Sequence, residues 1–348
     1  MTALHYYFFG GRNENMTNKI DFLITWVDGN DPEWLRERRH YAELLHKDID
    51  EYRFRDWETL RYWFRGVEKF APWVNKIFFV TCGHLPEWLD INHPKIVLVK
   101  HSDFIPAEYL PTFSSNVFEF YFHKIPGLSD QFVYFNADTF LIDYVNPEHF
   151  FRNNLPRDLG RMTISIHDGL FGTMVLLSKT LINNHFKKSE VIKKNFWKWF
   201  HPTYGIGLIF NVICSYIRKD VFVGFYNPHL QQAFLKETFD EVWANCKEDI
   251  LRTSHNKFRE YGDLAPWLLR YWQLASGNFS PYNIMRDGYY FRVSDSNYLK
   301  VAECIRKQKG KFICVNDTEG AHPDILFCYI MTDGKIVSEN LLTNFSRQ

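Results

Sequence analysis

Residues 131–140 decide the fold, and their sequence is Gln131-Phe132-Val133-Tyr134-Phe135-Asn136-Ala137-Asp138-Thr139-Phe140. A short apolar and aromatic run ends at an abrupt polar group, and apolar residues then resume. Such a run is typical of a buried strand in an α/β sheet. Ligands of open α/β sheets bind beyond the carboxyl ends of the strands, so Asn136 and Asp138 are expected where a phosphate and its metal are handled. The alternative is an Asx turn, in which Asn and Asp bond their own backbone.

The chain upstream begins with another strand followed by a tight turn and a helix. The β-rich run from Ile20 to Val27 ends at Asp28-Gly29-Asn30-Asp31-Pro32, a sequence typical of a turn. A charged helix is predicted from Glu33 to Lys47, with Asp31 as its N-cap and Pro32 at its first position. Neither GxGxxG nor GxxxxGK[ST] occurs, so neither a dinucleotide site nor a Walker phosphate loop is indicated.

Helices and strands continue to alternate up to residue 131. A helix from Asp56 to Phe70 carries an apolar stripe, and strands are predicted at Lys76–Cys82 and Lys95–Lys100. A further helix, Ser114 to Lys124, contains Glu119 among aromatic residues, where the carboxylate lies either near a functional cleft or on the solvent face. The series predicts an α/β fold with a mainly parallel, Rossmann-like sheet.

The second half of the chain has a different pattern. One more strand is predicted at Arg161–Ile166, but the region from Phe171 to Cys246 is mostly helical, including a helix from Leu230 to Ala244. His229 stands just before that helix, where it is either functional or a capping or packing group. A late strand, Lys311 to Val315, is followed by Asn316-Asp317, which repeats the chemistry of the first strand end. Two carboxylates at strand ends are able to share one divalent ion, and Mg²⁺ typically takes one or two protein carboxylates.

Composition narrows the class of protein. Lys plus Arg and Asp plus Glu both number 41, so net charge gives no argument for binding nucleic acid or an acidic membrane. Aromatic residues make up 18% of the chain, and they serve either core packing or stacking on sugar and base faces. The six cysteines form no CxxC pair, which favours a reducing cytoplasm over a zinc site or a disulfide framework.

Membrane and targeting signals are weak in this sequence. No stretch approaches the roughly 18–20 uninterrupted apolar residues needed to span a bilayer. The nearest, Tyr204 to Ile217, contains Asn211 and Ser215 and is predicted to be a buried helix. Met1 to Asn15 has no basic n-region and no small-residue cleavage site, so a signal peptide is not predicted. Organised pattern begins just after Met16, which is therefore an alternative start.

Four blocks of this sequence resemble the Stealth family of hexose-1-phosphate transferases. That family includes bacterial capsular polysaccharide phosphotransferases and the animal N-acetylglucosamine-1-phosphotransferase that marks lysosomal enzymes. The first block runs from Ile20 to Pro32, and the second, which is the longest, from Arg53 to Asp138. The third begins at Asn227-Pro228-His229 and continues past Arg259, and the fourth is Cys314-Val315-Asn316-Asp317.

The resemblance implies a reaction and its substrates. A sugar-1-phosphate would pass from a nucleotide diphosphate sugar, most simply a UDP-sugar, to a hydroxyl of an acceptor glycan or growing polysaccharide. The product would be a phosphodiester in capsular or exopolysaccharide synthesis, and a nucleoside monophosphate would leave. Two alternatives stay open, namely a glycosyltransferase that uses a nucleotide sugar and a catalytically silent subunit that binds nucleotide sugar or glycan.

The resemblance also implies roles for particular residues. The nucleotide-sugar-binding positions are Trp26, Asp28, Gly29 and Asn136. The catalytic positions are His229, Glu119, Arg259 and Asp138. Asp138 and Asp317 would hold a divalent metal, Mg²⁺ by preference, and Arg259 would grip the phosphate bidentately. Either His229 or Glu119 would take the proton of the acceptor hydroxyl.

One position departs from the family pattern. The family usually has Asn-Asp-Asp after the central strand, and this chain has Asn136-Ala137-Asp138. If the missing carboxylate is a direct metal ligand, activity should fall heavily. If it only caps a turn or orients other ligands, an active enzyme is expected, and this is the interpretation we favour because Asp138 is retained.

The expected organisation has four parts. Residues 1–18 form an N-terminal extension, and residues 19–150 form the Rossmann-like, nucleotide-sugar-binding half. Residues 151–310 form a mostly helical half that carries His229 and Arg259, and residues 311–348 return as a strand and tail to complete the active-site cleft. A cytoplasmic protein without a transmembrane segment is expected, with peripheral association to a capsule-assembly complex at the inner face of the membrane as an open possibility.

Overall fold

A computed structural model describes residues 19–48, 59–294 and 296–316 of the chain. Its strands are β1 (Ile20–Trp26), β2 (Ile77–Thr81), β3 (Ile96–Lys100), β4 (Gln131–Phe135), β5 (Thr139–Leu141), β6 (Phe151–Arg152), β7 (Leu155–Asp158), β8 (Gln232–Leu235), β9 (Ser280–Pro281), β10 (Gly288–Arg292) and β11 (Phe312–Asn316). Its helices are α1 (Pro32–Leu44), α2 (Leu60–Phe70), α3 (Ser115–Glu119), α4 (Gly169–His185), α5 (Lys188–Lys194), α6 (Phe196–Trp199), α7 (Gly207–Tyr216), α8 (Lys236–Ser254), α9 (Trp267–Ser276) and α10 (Tyr298–Arg306).

The central sheet has five strands in the order β3-β2-β1-β4-β8. The first four run parallel and only β8 is antiparallel, which confirms the predicted mainly parallel α/β architecture. Gln232, the first residue of β8, pairs with Tyr134 near the carboxyl end of β4. Because β8 starts where β4 ends, the residues just before β8 lie at the edge of the sheet where ligands of α/β proteins bind.

Both faces of this sheet are covered. Alternate residues along β1 and β4 enter two separate hydrophobic clusters: Leu23 and Tyr134 in one, Ile24 and Phe135 in the other. A parallel strand that is buried on both sides is apolar at most positions, which explains the largely apolar runs in the sequence. The exception in β1 is the buried Asp21, whose carboxylate accepts hydrogen bonds from the Asn75 side chain and the Ser129 backbone N–H. The apolar stripe of α2 packs in the second cluster and is fully buried, as its spacing predicts; its members are Leu60, Phe64, Val67 and Phe70.

Two small sheets flank the central one. In the first, in the order β10-β11-β5, β11 pairs antiparallel with β5, and Cys314 stands opposite Thr139. The late strand therefore returns to the segment that directly follows β4, and not to the central sheet itself. The second small sheet has the order β6-β7-β9. The division of the chain into four parts stays a prediction.

Several local predictions can be compared with these elements. The helix after the first turn is present as α1, and the Asp31 carboxylate accepts a hydrogen bond of 2.7 Å from the Trp34 backbone N–H, as its N-cap role predicts. The helix predicted at Ser114–Lys124 is shorter, since regular α-helix ends at Glu119. Residues 49–58, which hold the predicted start of α2, lie outside the described part of the chain.

Three predictions in the second half were wrong. Arg161–Ile166 is not a strand, because its backbone N–H groups reach Val223 and Gly224 without forming a regular ladder. The helix predicted from Leu230 begins only at Lys236, since residues 232–235 pair with β4, and this pairing overrides their helix propensity. The segment Tyr204–Ile217 does form a helix, α7, but most of its apolar side chains are exposed instead of buried.

Candidate functional site

The turn after β1 is tied to the loop after β2. The backbone N–H of Asp28 donates to His84 Nδ1 at 2.9 Å, so the His84 ring carries its proton on Nε2. That Nε2 lies 3.6 Å from Asp31 Oδ1, at the start of α1. Trp26, the last residue of β1, stacks on Phe79 with ring centroids 6.0 Å apart. These contacts hold the predicted nucleotide-binding turn against its neighbour in the sheet.

The exit of β4 presents an amide and a carboxylate. Asn136 is exposed, and its Oδ1 accepts a hydrogen bond of 2.7 Å from the Tyr134 hydroxyl. The Asp138 carboxylate accepts from Thr139 Oγ1 at 3.2 Å and from Asn316 Nδ2 at 3.1 Å. The contact with Asn316 follows from register, since β11 lies beside β5 and brings its last residue to Asp138.

The described part of the fourth block, Cys314 to Asn316, therefore reaches the end of β4. The Val315 backbone N–H donates to the Asp138 carbonyl at 2.8 Å, which fixes the approach of β11. Asp317, the second predicted metal ligand, lies outside the described residues. Ala137, the position that departs from the family pattern, is exposed between Asn136 and Asp138.

Glu119 and Arg259 lie together behind this exit. Burial raises the pKa of the Glu119 carboxyl to about 7, and the opposing effects come from the Arg259 guanidinium and from hydrogen bonds with Ser115 and Tyr134. Arg259 Nη2 donates to Ser115 Oγ at 2.7 Å, so the serine is a hydrogen-bonding partner of both side chains. A carboxyl group that titrates near neutral pH inside a cleft is a candidate for proton transfer or for orienting a neighbour.

Tyr134 connects Glu119 with Asn136, and it is not among the site residues predicted from the sequence. Its hydroxyl interacts with both Glu119 and Asn136, and burial raises its pKa well above the usual value. The signal for this residue was period-2 spacing, because residues two apart on a strand point to the same face. His84 was missed as well, although it follows β2 at the same edge of the sheet.

His229 lies at the same edge, three residues before β8. Its exposed ring stacks on Tyr290 with centroids 5.0 Å apart and meets the edge of Trp267 at 6.0 Å. Restricted hydration lowers the pKa of His229 from its ordinary value, and the Asp138 carboxylate acts in the opposite direction. The imidazole is thus neutral near pH 7 and within electrostatic reach of Asp138.

The structure thus brings Asn136, Asp138 and His229 to one edge, and places the pair of Glu119 and Arg259 next to it through Tyr134. Within residues 19–48, 59–294 and 296–316, no three His, Cys, Asp or Glu side chains are grouped closely enough to hold a metal ion. A carboxylate, amides and a neutral imidazole at the carboxyl end of a parallel sheet are suited to binding a phosphorylated ligand and removing a proton from it or its partner.

Comparison with known proteins identifies the family. The chain matches Stealth protein CR1, conserved region 1, at residues 18–45 and Stealth protein CR2, conserved region 2, at residues 53–158. It is similar to the capsular polysaccharide phosphotransferase WcwK of Streptococcus pneumoniae, with 42% identity over 305 residues, 86% of this chain and 90% of the relative. It is also similar to the receptor polysaccharide phosphotransferase WefC of Streptococcus oralis, with 36% identity over 307 residues, 86% of this chain and 91% of the relative.

These findings define an α/β protein of the polysaccharide phosphotransferase type. The chain belongs to the Stealth family, and the membership predicted from its four blocks is confirmed. Among solved structures, the galactosyltransferase LgtC in complex with donor and acceptor sugar analogues is similar with a TM-score of 0.39 and 11% identity, covering 92% of this chain and 98% of that one. That likeness is too distant to carry an inference about function.

Proposed function

We propose that this chain is a polysaccharide phosphotransferase that moves a sugar-1-phosphate from a nucleotide diphosphate sugar to a hydroxyl of an acceptor glycan. The products are a phosphodiester, formed in capsular or exopolysaccharide synthesis, and a nucleoside monophosphate. The observation that carries the proposal is the convergence of Asn136, Asp138 and His229 at the carboxyl edge of the sheet, in a chain whose relatives are named polysaccharide phosphotransferases.

We assign the role of general base to His229. Its ring is exposed at the edge of the sheet and neutral near pH 7, whereas Glu119 is only partly exposed and already bonded to Ser115 and Tyr134. A base must reach the acceptor hydroxyl directly, and the exposed group meets this requirement better. Stacking on Tyr290 holds the imidazole plane, and the Asp138 carboxylate stabilises the imidazolium that forms when the proton is taken.

Arg259 is the proposed phosphate-binding group. A guanidinium offers five N–H donors in a planar fork, and Arg259 is partly exposed beside Ser115 and Glu119. The charge of the transferred phosphate is spread over its non-bridging oxygens, and a fixed cation stabilises that charge without reorganising during the reaction. Glu119 is then a positioning residue that orients the guanidinium.

A divalent ion, Mg²⁺ by preference, is the proposed cofactor. The donor set fits a hard cation, because Asp138 supplies a carboxylate whose oxygens are oriented by Thr139 and Asn316, and Asn136 adds an amide oxygen. Mg²⁺ commonly uses only one or two protein carboxylates, and Asp317 would be the second. When bound, the ion would neutralise charge on the phosphates of the donor.

The remaining substrate contacts are assigned to the first block, which runs from Ile20 to Pro32. Trp26, Asp28 and Gly29 form the proposed nucleotide-binding turn, in which the partly exposed Trp26 ring would contact the base. We place the reaction in the cytoplasm, because the five described cysteines are free thiols, which is usual in a reducing compartment. Association with a capsule-assembly complex stays a prediction from the sequence. In the described part of the chain, none of the helices has the length and apolar character needed to cross a bilayer.

A silent binding subunit is the second candidate, and Ala137 is the observation that favours it. The residue is exposed beside Asp138, so a carboxylate at position 137 would stand at the same edge. The two candidates differ in turnover of a panel of nucleotide sugars with an acceptor glycan and Mg²⁺. The active enzyme releases nucleoside monophosphate without any substitution. A parent that lacks turnover and gains it in Ala137→Asp would instead identify the natural chain as silent.

A further inference from the structure

Helix α7 is oriented with its small and polar side toward the protein. Gly207, Asn211 and Cys214 are buried, and their spacing of four and then three residues places them on one helical face. A surface helix of a globular protein normally buries its apolar stripe and exposes its polar one. Helix α7 does the reverse.

The opposite side of α7 is apolar and exposed. Ile209 is 57% exposed, Ile213 is 50% exposed and Tyr216 is 87% exposed. The exposed apolar residues of this side, together with the preceding Ile206, form what we call the outward face of α7. Its members are Ile206, Ile209, Phe210, Val212, Ile213 and Tyr216. A contiguous apolar surface of this kind marks a contact with a partner or a membrane.

Buried hydrogen bonds fix this orientation. The Asn211 side chain accepts from the Met162 backbone N–H at 2.6 Å and donates to the carbonyls of Gly160 at 2.7 Å and Trp199 at 2.5 Å. At the other end, the buried Lys188 ammonium donates to the carbonyls of Cys214 and Ile217. Rotating the apolar side inward would break all of these bonds, so the exposure is built into the fold.

The surroundings of α7 are basic although the whole chain is neutral. Residues 187–220 contain seven Lys and Arg side chains and two acidic ones, Glu190 and Asp220. Arg218 and Lys219 are exposed and follow directly after α7. Lys193 and Lys194 are exposed on α5, the helix whose first residue, Lys188, is bonded to the end of α7. These four residues are the basic rim.

We propose that the outward face of α7 inserts into the surface of an anionic lipid membrane, with the basic rim on the lipid headgroups. An exposed apolar helical face combined with flanking Lys and Arg is the pattern of helices that lie in a membrane interface. At ten residues, α7 is about 15 Å long, half of the roughly 30 Å hydrocarbon core, so it lies on the membrane and does not cross it.

The charge of the basic rim disfavours a second copy of the chain as the partner of the outward face. A second copy that met this face through a two-fold axis would place two basic rims at one interface. Like charges facing each other oppose association. An anionic surface instead meets every rim residue with the opposite charge, and about 1 kcal/mol per Lys or Arg corresponds to roughly fivefold in binding.

Vesicle flotation tests the proposal and requires no turnover, so its result is independent of the proposed function. The probes are phosphatidylcholine vesicles with and without phosphatidylglycerol. The full chain is expected to float with the vesicles that contain phosphatidylglycerol and to bind those of pure phosphatidylcholine much more weakly. Ile209→Glu should reduce binding at least tenfold, and Tyr216→Glu repeats the test at the most exposed position.

Matched controls separate the surface from general charge effects. Leu299 on α10 is 57% exposed, the same fraction as Ile209, so Leu299→Glu should leave binding unchanged. Arg218→Gln with Lys219→Gln should weaken binding about thirtyfold, whereas Lys247→Gln with Lys300→Gln, which removes two exposed charges elsewhere, should weaken it far less.

Three results would overturn the proposal. The first is failure of the parent chain to bind vesicles that contain phosphatidylglycerol. The second is equal loss of binding in Ile209→Glu and Leu299→Glu. The third is a dimer in analytical ultracentrifugation that Ile209→Glu dissociates, in a parent that does not bind lipid, since that identifies a second copy as the occupant.

Discussion

The assignment of the base makes a quantitative prediction about pH. The ring of His229 has its pKa lowered from the ordinary 6.5, whereas burial raises the pKa of Glu119 to about 7. A general base works only when it is deprotonated, so turnover falls on the acid side with a midpoint at the pKa of the base. At pH 6, a histidine with a pKa below 6.5 is more than about one quarter deprotonated, but a carboxyl group of pKa 7 is only about one tenth deprotonated.

Turnover against pH, at saturating Mg²⁺ and nucleotide sugar, measures this difference. We expect the parent to keep more than about a quarter of its plateau rate at pH 6. His229→Ala should lose about 10²–10³ in rate, by analogy with the loss of one group that stabilises a transition state. Its remaining activity should no longer fall at acidic pH. Glu119→Gln should show the same fall in rate at acidic pH as the parent. Tyr290→Phe is the control, because it keeps the ring that stacks on His229.

The opposite result would refute the reasoning about the base. A parental midpoint near pH 7 that persists in His229→Ala and disappears in Glu119→Gln would make Glu119 the base. His229 would then be a residue that only shapes the edge of the site.

Three further predictions concern Arg259, Tyr134 and Asn211 of α7. Arg259→Ala should lose about 10²–10³ in turnover with no shift of the pH profile, because a guanidinium is charged at every accessible pH. Arg259→Lys should restore little activity, since the ammonium lacks the planar fork. Steady-state kinetics measures both effects. Tyr134→Phe removes a hydrogen bond that lowers the pKa of Glu119, so that pKa should rise above about 7, which a carboxyl-selective NMR titration measures; an unchanged titration would contradict the contact. Asn211→Leu leaves buried backbone groups of Gly160, Met162 and Trp199 without their hydrogen-bond partner, at a cost of about 1–3 kcal/mol each. Urea unfolding should therefore show that the free energy of unfolding falls by several kcal/mol. The exposed control, Asn245→Ala, should change it by less than about 0.5 kcal/mol.

The sequence predicted the central sheet well because its signals are local. Strands β1, β2 and β4 are buried on both faces and are therefore largely apolar. Asp31-Pro32 marks the start of α1 through capping chemistry alone. Asn136 and Asp138 followed from position, since polar residues at the end of a buried strand reach the edge where ligands bind.

The failures arose where tertiary contacts decide the structure. Residues 232–235 have side chains compatible with a helix, but pairing with β4 makes them a strand and brings His229 to the site by a route that local pattern does not reveal. The apolar content of α7 suggested burial, but tertiary hydrogen bonds of Asn211 and Lys188 turn the apolar side of the helix outward. The role of Tyr134 likewise depends on Glu119, which is distant in sequence and adjacent in space.

Identification of the released nucleotide tests the central claim most directly. The purified chain is incubated with a nucleotide diphosphate sugar, an acceptor glycan and Mg²⁺, and the products are analysed by chromatography and phosphorus NMR. Transfer of a sugar-1-phosphate predicts nucleoside monophosphate in solution and a phosphodiester signal in the glycan. Release of nucleoside diphosphate, with no phosphorus in the glycan, would contradict the account and identify a glycosyltransferase.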